Sequence, residues 1–389
     1  MLLPRRHFLL LAAQPKPRPR LAAVVTSYYF YSHADVILGR LMAGCSPNGQ
    51  WHPSRCDIAS LYVHQIHERD MSADLASRHG FRIFPSIEQT LTLNSNKLAV
   101  DGVVFVGEHG NFPTNDVGQK LYPRHELFSQ ILDTYQKFGR ALPTFFDKHL
   151  SYSWPKAREI HERAKKLRVP WFAGSSIPLS VRVPMLIPPL GAPIQHAVSL
   201  GYGDLDAYGF HTLEALQCMV ERRAGFESGI RAVQTLQGDA AWAFLDNEPH
   251  WMPLVNAAYA TCPKKSDAPL KTLVKKPVVF SLEYRDGLRA ASVLLNGAIS
   301  DWAFAAPNGM ACKFGPAAKS RTLPHFDGLA HNIEELMLTG RAPYPVERTL
   351  LTTGALAHLF DSLRSGQRVE TPELAIAYRP ANPPYVQTA

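Results

Sequence analysis

Apolar and polar positions follow two rhythms along this chain. Through the first 180 residues, short continuous apolar runs, as a strand buried on both faces requires, are separated by stretches with helical spacing. Runs at 21–25, 58–63, 81–84, 100–106, 141–146 and 171–174 predict strands. Ser32 is placed to cap a helix through about Ala43, in which Val36, Ile37, Leu41 and Met42 recur at helical spacing. Ser72 is placed to cap a second helix ending before Gly80. Residues 119–138 predict a long amphipathic helix stopped by Gly139, and 154–167 another. This alternation predicts an α/β fold with a Rossmann-like doubly wound parallel sheet.

The rhythm changes after Ser180. The Pro-rich segment 184–193 reads as a crossing between domains, followed by a strand at 194–201 and a helix at 211–223. Two apolar runs, 277–284 and 289–296, flank Arg285, Asp286 and Gly287, a turn that predicts a hairpin. Helices are predicted from 327 to 338 and from 345 to 363. The economical reading is an α+β open-sheet domain, antiparallel with helices on one side. The chain thus divides into a leader (1–20), a Rossmann-like domain (21–180) and a substrate or oligomerisation domain (181–389), whose last helices can return to pack on the first domain.

Charge first suggests a polyanion partner, then withdraws the suggestion. The formal net charge is +8, but Arg5, Arg6, Lys16, Arg18 and Arg20 precede any acidic residue, and the remaining body is close to balance. No nucleic-acid footprint is expected. No run approaches the ~18 apolar residues of a membrane span. The five cysteines are scattered without a Cys-x-x-Cys pair, so neither a zinc ribbon nor a disulfide framework is expected, and the thiols read as small buried apolar groups. Arg5 and Arg6, followed by Phe8, Leu9, Leu10, Ala12 and Ala13, resemble a twin-arginine export signal with a short apolar core. The expectation is a periplasmic or extracytoplasmic protein if that signal acts, with a mature form beginning near Gln14 or Pro15, and a cytoplasmic one otherwise.

In a doubly wound sheet, ligands meet the carboxyl ends of the strands. Those ends carry Glu108 and His109 after the fourth long run, Asp147, Lys148 and His149 after the fifth, and Ser175 and Ser176 after the sixth. His211 and Glu214, one helical turn apart, share a helix face expected to line the interdomain cleft. The polar segment 108–124 offers Asn111, Asn115 and Arg124 as groups able to bind hydroxyls or a carboxylate. Farther along that helix, Glu221, Arg222 and Arg223 read as a solvated charged turn.

Several of these segments, in this order, resemble the Gfo/Idh/MocA (glucose–fructose oxidoreductase / inositol dehydrogenase) family. Phe146, Asp147, Lys148, His149 and Leu150 stand where that family has its Glu-Lys-Pro motif, after a lead-in at Gly139 to Pro143. Tyr208 to Glu214 resembles its Gly-x-His-x-x-Asp segment, and Leu338 to Pro343 with Ser365 to Val369 its carboxy-terminal helices. The resemblance implies an oxidoreductase acting on a sugar, polyol or related small molecule with NAD or NADP. Lys148 would be the electrostatic and acid–base residue and His211 the base, with Asp147, His149 and Glu108 positioning groups. It also implies copies assembling through the outer face of the open sheet. The chain departs from the family at the first turn. The expected Gly-x-Gly-x-x-Gly turn is replaced by Thr26 to Ser32 without a glycine, so that Ser27, Tyr28 and His33 stand where a nucleotide would be held. Side chains from Tyr28 to Tyr31 would enter the volume of the phosphates.

Two other classes remain open. Glu108, His109, Asp147, His149 and His211 are all ligand types for a divalent metal, which would make the site a lyase, hydrolase or isomerase without a nucleotide. A non-catalytic sugar-binding protein that keeps the two-domain cleft is the third.

Overall fold

The computed structural model describes residues 17–263, 266–315, 323–382 and 386–387. The twin-arginine segment lies outside the described residues. The first half builds β1 (Arg20–Val25), α1 (His33–Ala43), β2 (Asp57–Val63), α2 (Ser72–His79), β3 (Arg82–Ile83), α3 (Ile87–Thr92), β4 (Gly102–Val106), α4 (Arg124–Phe138), β5 (Thr144–Asp147), α5 (Trp154–Lys166) and β6 (Trp171–Gly174). The six strands form one parallel sheet in the order β3-β2-β1-β4-β5-β6, the doubly wound topology that the apolar runs predicted. Central β1 shows why those runs lack alternation. Ala22 and Val24 pack toward α3 and α4, whereas Leu21, Ala23 and Val25 pack toward α1.

The second half adds β7 (Arg182–Val183), β8 (His196–Gly201), α6 (Ala207–Val220), β9 (Ile230–Gln237), α7 (Asp239–Asn247), α8 (Trp251–Thr261), α9 (Leu270–Leu273), β10 (Val278–Tyr284), β11 (Arg289–Leu294), β12 (Trp302–Ala306), β13 (Met310–Phe314), α10 (His325–Thr339), α11 (Glu347–Ser365) and β14 (Val369–Glu370). Its eight strands run in the order β14-β9-β10-β11-β8-β12-β13-β7. The sheet corrects two expectations. It is mixed rather than antiparallel, because β11 pairs with β8 in parallel. Helices also cover both of its faces. Ala197, Phe280 and Phe304 pack toward α6 and α11, while Val198, Leu200, Val279, Val293 and Ala305 pack against Trp242, Leu245, Trp251 and Val255 of α7 and α8. The outer face, through which the resemblance would join copies, is therefore covered by the chain's own helices.

Smaller corrections have local causes. Pro123 delays α4 to Arg124, five residues after the predicted start. Ser72 is the first helical residue rather than the cap, because its hydroxyl is taken by the Asp70 carboxylate. Ser32 does cap α1, accepting from the Asp35 amide.

Helices α10 and α11 tie the halves together. Helix α10 packs Leu329, Ile333 and Leu336 beneath the first sheet beside α1, and α11 runs between α5, α6 and β9. Beyond α6, the charged turn is buried rather than solvated. Arg348 of α11 makes a two-pronged ion pair with Glu221 at 2.8 and 2.5 Å, which Tyr378 completes by donating to the same carboxylate at 2.8 Å. Arg223 pairs with Glu227 and with Asp286 of the hairpin turn, and Arg222 donates to the Pro188 and Ala381 carbonyls. Truncating one member of a buried pair strands the other. Arg348→Leu should therefore cost about 3–5 kcal/mol, and the double replacement Arg348→Leu/Glu221→Leu should recover most of that loss in denaturant midpoints.

Candidate active site

The site is assembled where β4, β5 and β6 end beneath α6. After β4 the chain passes Gly107 and Glu108 to His109, and after β5 it passes Asp147 to Lys148. His109 and Lys148 both adopt φ of +71°, a left-handed conformation that side-chain-bearing residues seldom take. At Lys148 this turn lets the amide donate to the Gly174 carbonyl at 3.0 Å and sends the side chain under α6. Its Nζ lies 2.7 Å from His211 Nε2 and 3.9 Å from Glu108 Oε1. Lys148 is 2% exposed and His211 8%, so the pair is shielded from bulk water.

Buried charges at this density require compensation. Glu108 pairs with Arg124, which also donates to the Gly107 carbonyl at 2.9 Å and contacts His149 Nε2 at 2.9 Å. His149 in turn lies 3.5 Å from Asp206, whose other oxygen accepts from the Lys120 amide. Burial pushes the Glu108 carboxyl up, but the Lys148 and Arg124 charges outweigh it and hold the group well below the usual carboxylate range. Burial and the adjacent Lys148 push His211 well below the ordinary imidazole value, so its ring is neutral at pH 7. A neutral ring accepting from Lys148 at Nε2 carries its proton on Nδ1, a buried atom with no protein partner.

Two further groups flank this pair. His33, the first residue of α1, has Nδ1 2.6 Å from Asp147 Oδ2, and its ring centroid lies 5.3 Å from that of His109. Glu214 sits one turn beyond His211, with one oxygen accepting from the Ser175 amide at 2.9 Å and the other unpartnered. Burial drives its carboxyl up to about 7 against that hydrogen bond. Gly174 makes room for it: φ is +126°, and a Cβ there would fall 2.5 Å from Glu214 Oε1. Asp147 Oδ1 and His109 Nε2 also lack partners. A set of buried polar atoms left unsatisfied is the signature of a place for a polar ligand.

Of the residues singled out in the sequence, the fold gathers Glu108, Arg124, Asp147, Lys148, His149, His211 and Glu214, with His109 at the edge beside His33. It does not gather Asn111 or Asn115. The Asn111 backbone is fastened to Gln65, and the Asn115 side chain organises its own turn with Gln119. Sequence reasoning missed Asp206, although an acid just before a helix three residues ahead of the Gly209 to His211 segment was a usable signal. It also missed Trp302, whose ring lies 5.1 Å from that of His211, because the strand carrying it went unrecognised.

The metal set proposed from strand ends does not converge. Among the described residues, the group whose ligand atoms lie within 4.8 Å of one another is Cys45, His52 and Glu334, at a different place. There, Arg55 occupies both Glu334 oxygens through its amide (2.7 Å) and Nε (2.9 Å), which makes the carboxylate an ion-pair partner rather than an open ligand. A cavity of about 650 Å³ lies on the outer side of α1 between Phe30, Arg40, Trp51 and Asp327, not over Lys148.

No protein-family model and no curated protein matches the chain. Solved structures do match its fold. GenD2 from gentamicin A biosynthesis, in complex with NAD, is 15% identical with a TM-score of 0.55, covering 95% of this chain and 99% of that one. Scyllo-inositol dehydrogenase from Lactobacillus casei, with bound NAD(H) and scyllo-inositol, is 10% identical with a TM-score of 0.55, covering 91% and 99%. Myo-inositol 2-dehydrogenase from Lactobacillus plantarum is 11% identical with a TM-score of 0.55, covering 91% and 99%.

The residues present do not fit a dinucleotide of the kind held by the first two of these structures. Ser27 and Tyr28, placed by the sequence at the nucleotide, are 1% and 0% exposed, and Tyr28 belongs to the core beneath α1, while the neighbouring Tyr29 ring stacks on His67 at 4.2 Å and lies 5.7 Å from His109. The start of α1 is already served by the chain itself, since Ser32 accepts from the Asp35 amide and the Asp35 carboxylate accepts from the Tyr31 amide at 2.9 Å. Thr26 Oγ1 donates to the Glu108 carbonyl at 2.7 Å and joins the loops after β1 and β4.

Glu214 yields a pH signature. Its folded value lies above the ordinary 4.5, so the folded chain keeps a proton that the unfolded chain releases. The stability this group contributes is full below about 4.5 and is lost as pH rises to about 7, a difference of about 3 kcal/mol. Glu214→Gln should flatten that part of the pH dependence when urea midpoints at pH 5 and pH 8 are compared with those of the parent.

Proposed function

We propose that this chain, which has the two-domain fold of the Gfo/Idh/MocA oxidoreductases, is an enzyme acting on a sugar, polyol or related polyhydroxylated small molecule. The reacting carbon, bearing a hydroxyl or carbonyl, lies against Lys148 and His211. The observation that carries this reading is the buried 2.7 Å contact between Lys148 Nζ and His211 Nε2, with Glu108 behind it and His211 Nδ1 left open. The substrate class is supported by the fold shared with inositol dehydrogenases.

The chemistry follows from charge and proton placement. An oxygen set beside Lys148 meets a desolvated ammonium, which lowers the free energy of the developing oxyanion far more than it would in water. The neutral His211 ring relays a proton between that oxygen and Lys148 through its two nitrogens. Glu108 keeps Lys148 from being an isolated buried charge, and Arg124, His149 and Asp206 fix Glu108. By resemblance alone, NAD or NADP would supply a hydride acceptor. The turn after β1 does not fit it, so the residues account only for the proton half of an alcohol–carbonyl interconversion.

A panel of aldoses, ketoses, inositols and inososes, screened for binding and turnover, tests this reading. Lys148→Met and His211→Gln should each lower kcat by roughly 10²–10⁴-fold on any substrate found, with folding unchanged by circular dichroism. Full activity in both variants would refute the assignment.

A further inference from the structure

The disagreement between the fold and its first turn extends to the class of reaction. Dinucleotide enzymes of this topology use the crevice outside β1 and β4 for the cofactor. Here that crevice holds protein: the Tyr29 ring, stacked on His67 at 4.2 Å and edge-on to His109 at 5.7 Å, the Thr26 to Glu108 hydrogen bond, and the ring of His33 beside His109. His33 was read from the sequence as a nucleotide contact. Its Nδ1 instead donates to Asp147 at 2.6 Å, and Asp147 is 0% exposed. A buried carboxylate on Nδ1 fixes the imidazole tautomer and makes Nε2 the basic atom. The ring packs edge-on to Phe326 at 5.4 Å and beside His109 at 5.3 Å, which holds it in place.

Asp147 and Lys148 are consecutive. The left-handed turn at Lys148 separates their side chains, one going to His33 on α1 and the other to His211 on α6. A single strand end thus anchors two proton-transfer devices on different elements, with unpartnered atoms of Asp147, His109 and His211 around them. Hydride transfer needs one acid–base group and a cofactor. A proton shift at carbon needs a base for the C–H bond and a cation for the oxygen, and no cofactor.

We propose that the chain binds no nicotinamide dinucleotide, that His33 is a catalytic base positioned by Asp147, and that the reaction is a proton shift at the carbon beside a carbonyl of a sugar or polyol-derived ketone. The inference rests on the preceding reading of Lys148 and His211. In the step, the C–H bond adjacent to the carbonyl breaks and its proton passes to His33 Nε2. The released electron pair forms the C=C bond of an enolate, and the carbonyl π pair moves onto the oxygen beside Lys148. Return of a proton to carbon, on the same or opposite face, restores the carbonyl and gives exchange or epimerisation. No net oxidation occurs and no co-reactant is consumed. Asp147 is a positioning residue, since it acts through His33.

The full chain, checked by native mass spectrometry for bound nucleotide, is incubated in D₂O with ketohexoses, aldohexoses and inososes, and C–H to C–D exchange is followed by NMR. Equilibrium dialysis with NADH and NADPH runs in parallel. The expected result is exchange without nucleotide, reduced roughly 10²–10³-fold in His33→Ala and partly restored by added imidazole, with Asp147→Asn lowering kcat at unchanged KM. Stoichiometric NADH or NADPH binding, with turnover that requires it and no carbon exchange, would overturn this inference while leaving the Lys148–His211 reading intact. Exchange that survives unchanged in folded His33→Ala would overturn the assignment of the base. Neither exchange nor turnover on the whole panel would overturn both readings.

Discussion

A lysine ammonium buried between two sheets is the constraint on which the rest of the site depends. Lys148 is 2% exposed, and such a charge survives burial only beside an opposite one. Glu108 provides it at 3.9 Å, but a carboxylate between one lysine and one arginine must itself be placed accurately. Arg124 does so from the first residue of α4, with the Gly107 carbonyl and His149 completing its contacts and Asp206 standing behind His149. Asp206 precedes α6, so the network that balances a charge at the end of β5 also sets the distance between the two domains. The Lys148–His211 pair and the domain interface are one electrostatic object.

That coupling explains why α6 is buried nearly all round and why polar residues persist on it. Positions from Gly209 to Val220 are buried, among them His211, Glu214 and Gln217. Each is met by a different neighbour: Lys148 below, Ser175 at the end of β6, and Tyr284 with Tyr378 on the far side. An all-apolar helix would pack as well and would carry no site. The arrangement keeps the functional groups rigid because rotation of α6 would break several buried hydrogen bonds at once.

How much was legible in the sequence follows from where the information lies. The parallel sheet could be read because a strand buried on both faces writes itself as a continuous apolar run, as in Val24 and Val25 or Val103 to Val106. The site residues could be read because parallel strands place their carboxyl ends together, so Glu108, Lys148 and His149 needed only the topology. The second sheet was harder. Strand β9 mixes buried and exposed positions, β12 and β13 are only five residues each, and α7 with α8 packs Trp242, Leu245, Trp251 and Val255 over Val198, Val279 and Val293. Nothing local in those helices announces the sheet they cover. The β11 to β8 parallel pairing joins segments nearly a hundred residues apart, which no local pattern specifies.

The role of His33 illustrates a different limit. Its sequence context, a histidine just after a capping serine at the first helix, is the same whether the ring faces a pyrophosphate or a carboxylate. What decides is the identity of position 147 and the backbone turn at 148, over a hundred residues away. Once Asp147 occupies Nδ1, the ring has a fixed tautomer and one basic nitrogen, and the helix N-terminus has no anion left to attract because Asp35 and Ser32 serve it. The glycine-free turn and the Asp147–His33 pair are then two features of one arrangement. The end of β5 thus supplies the carboxylate that, on the proposed reading, fixes His33 as a base.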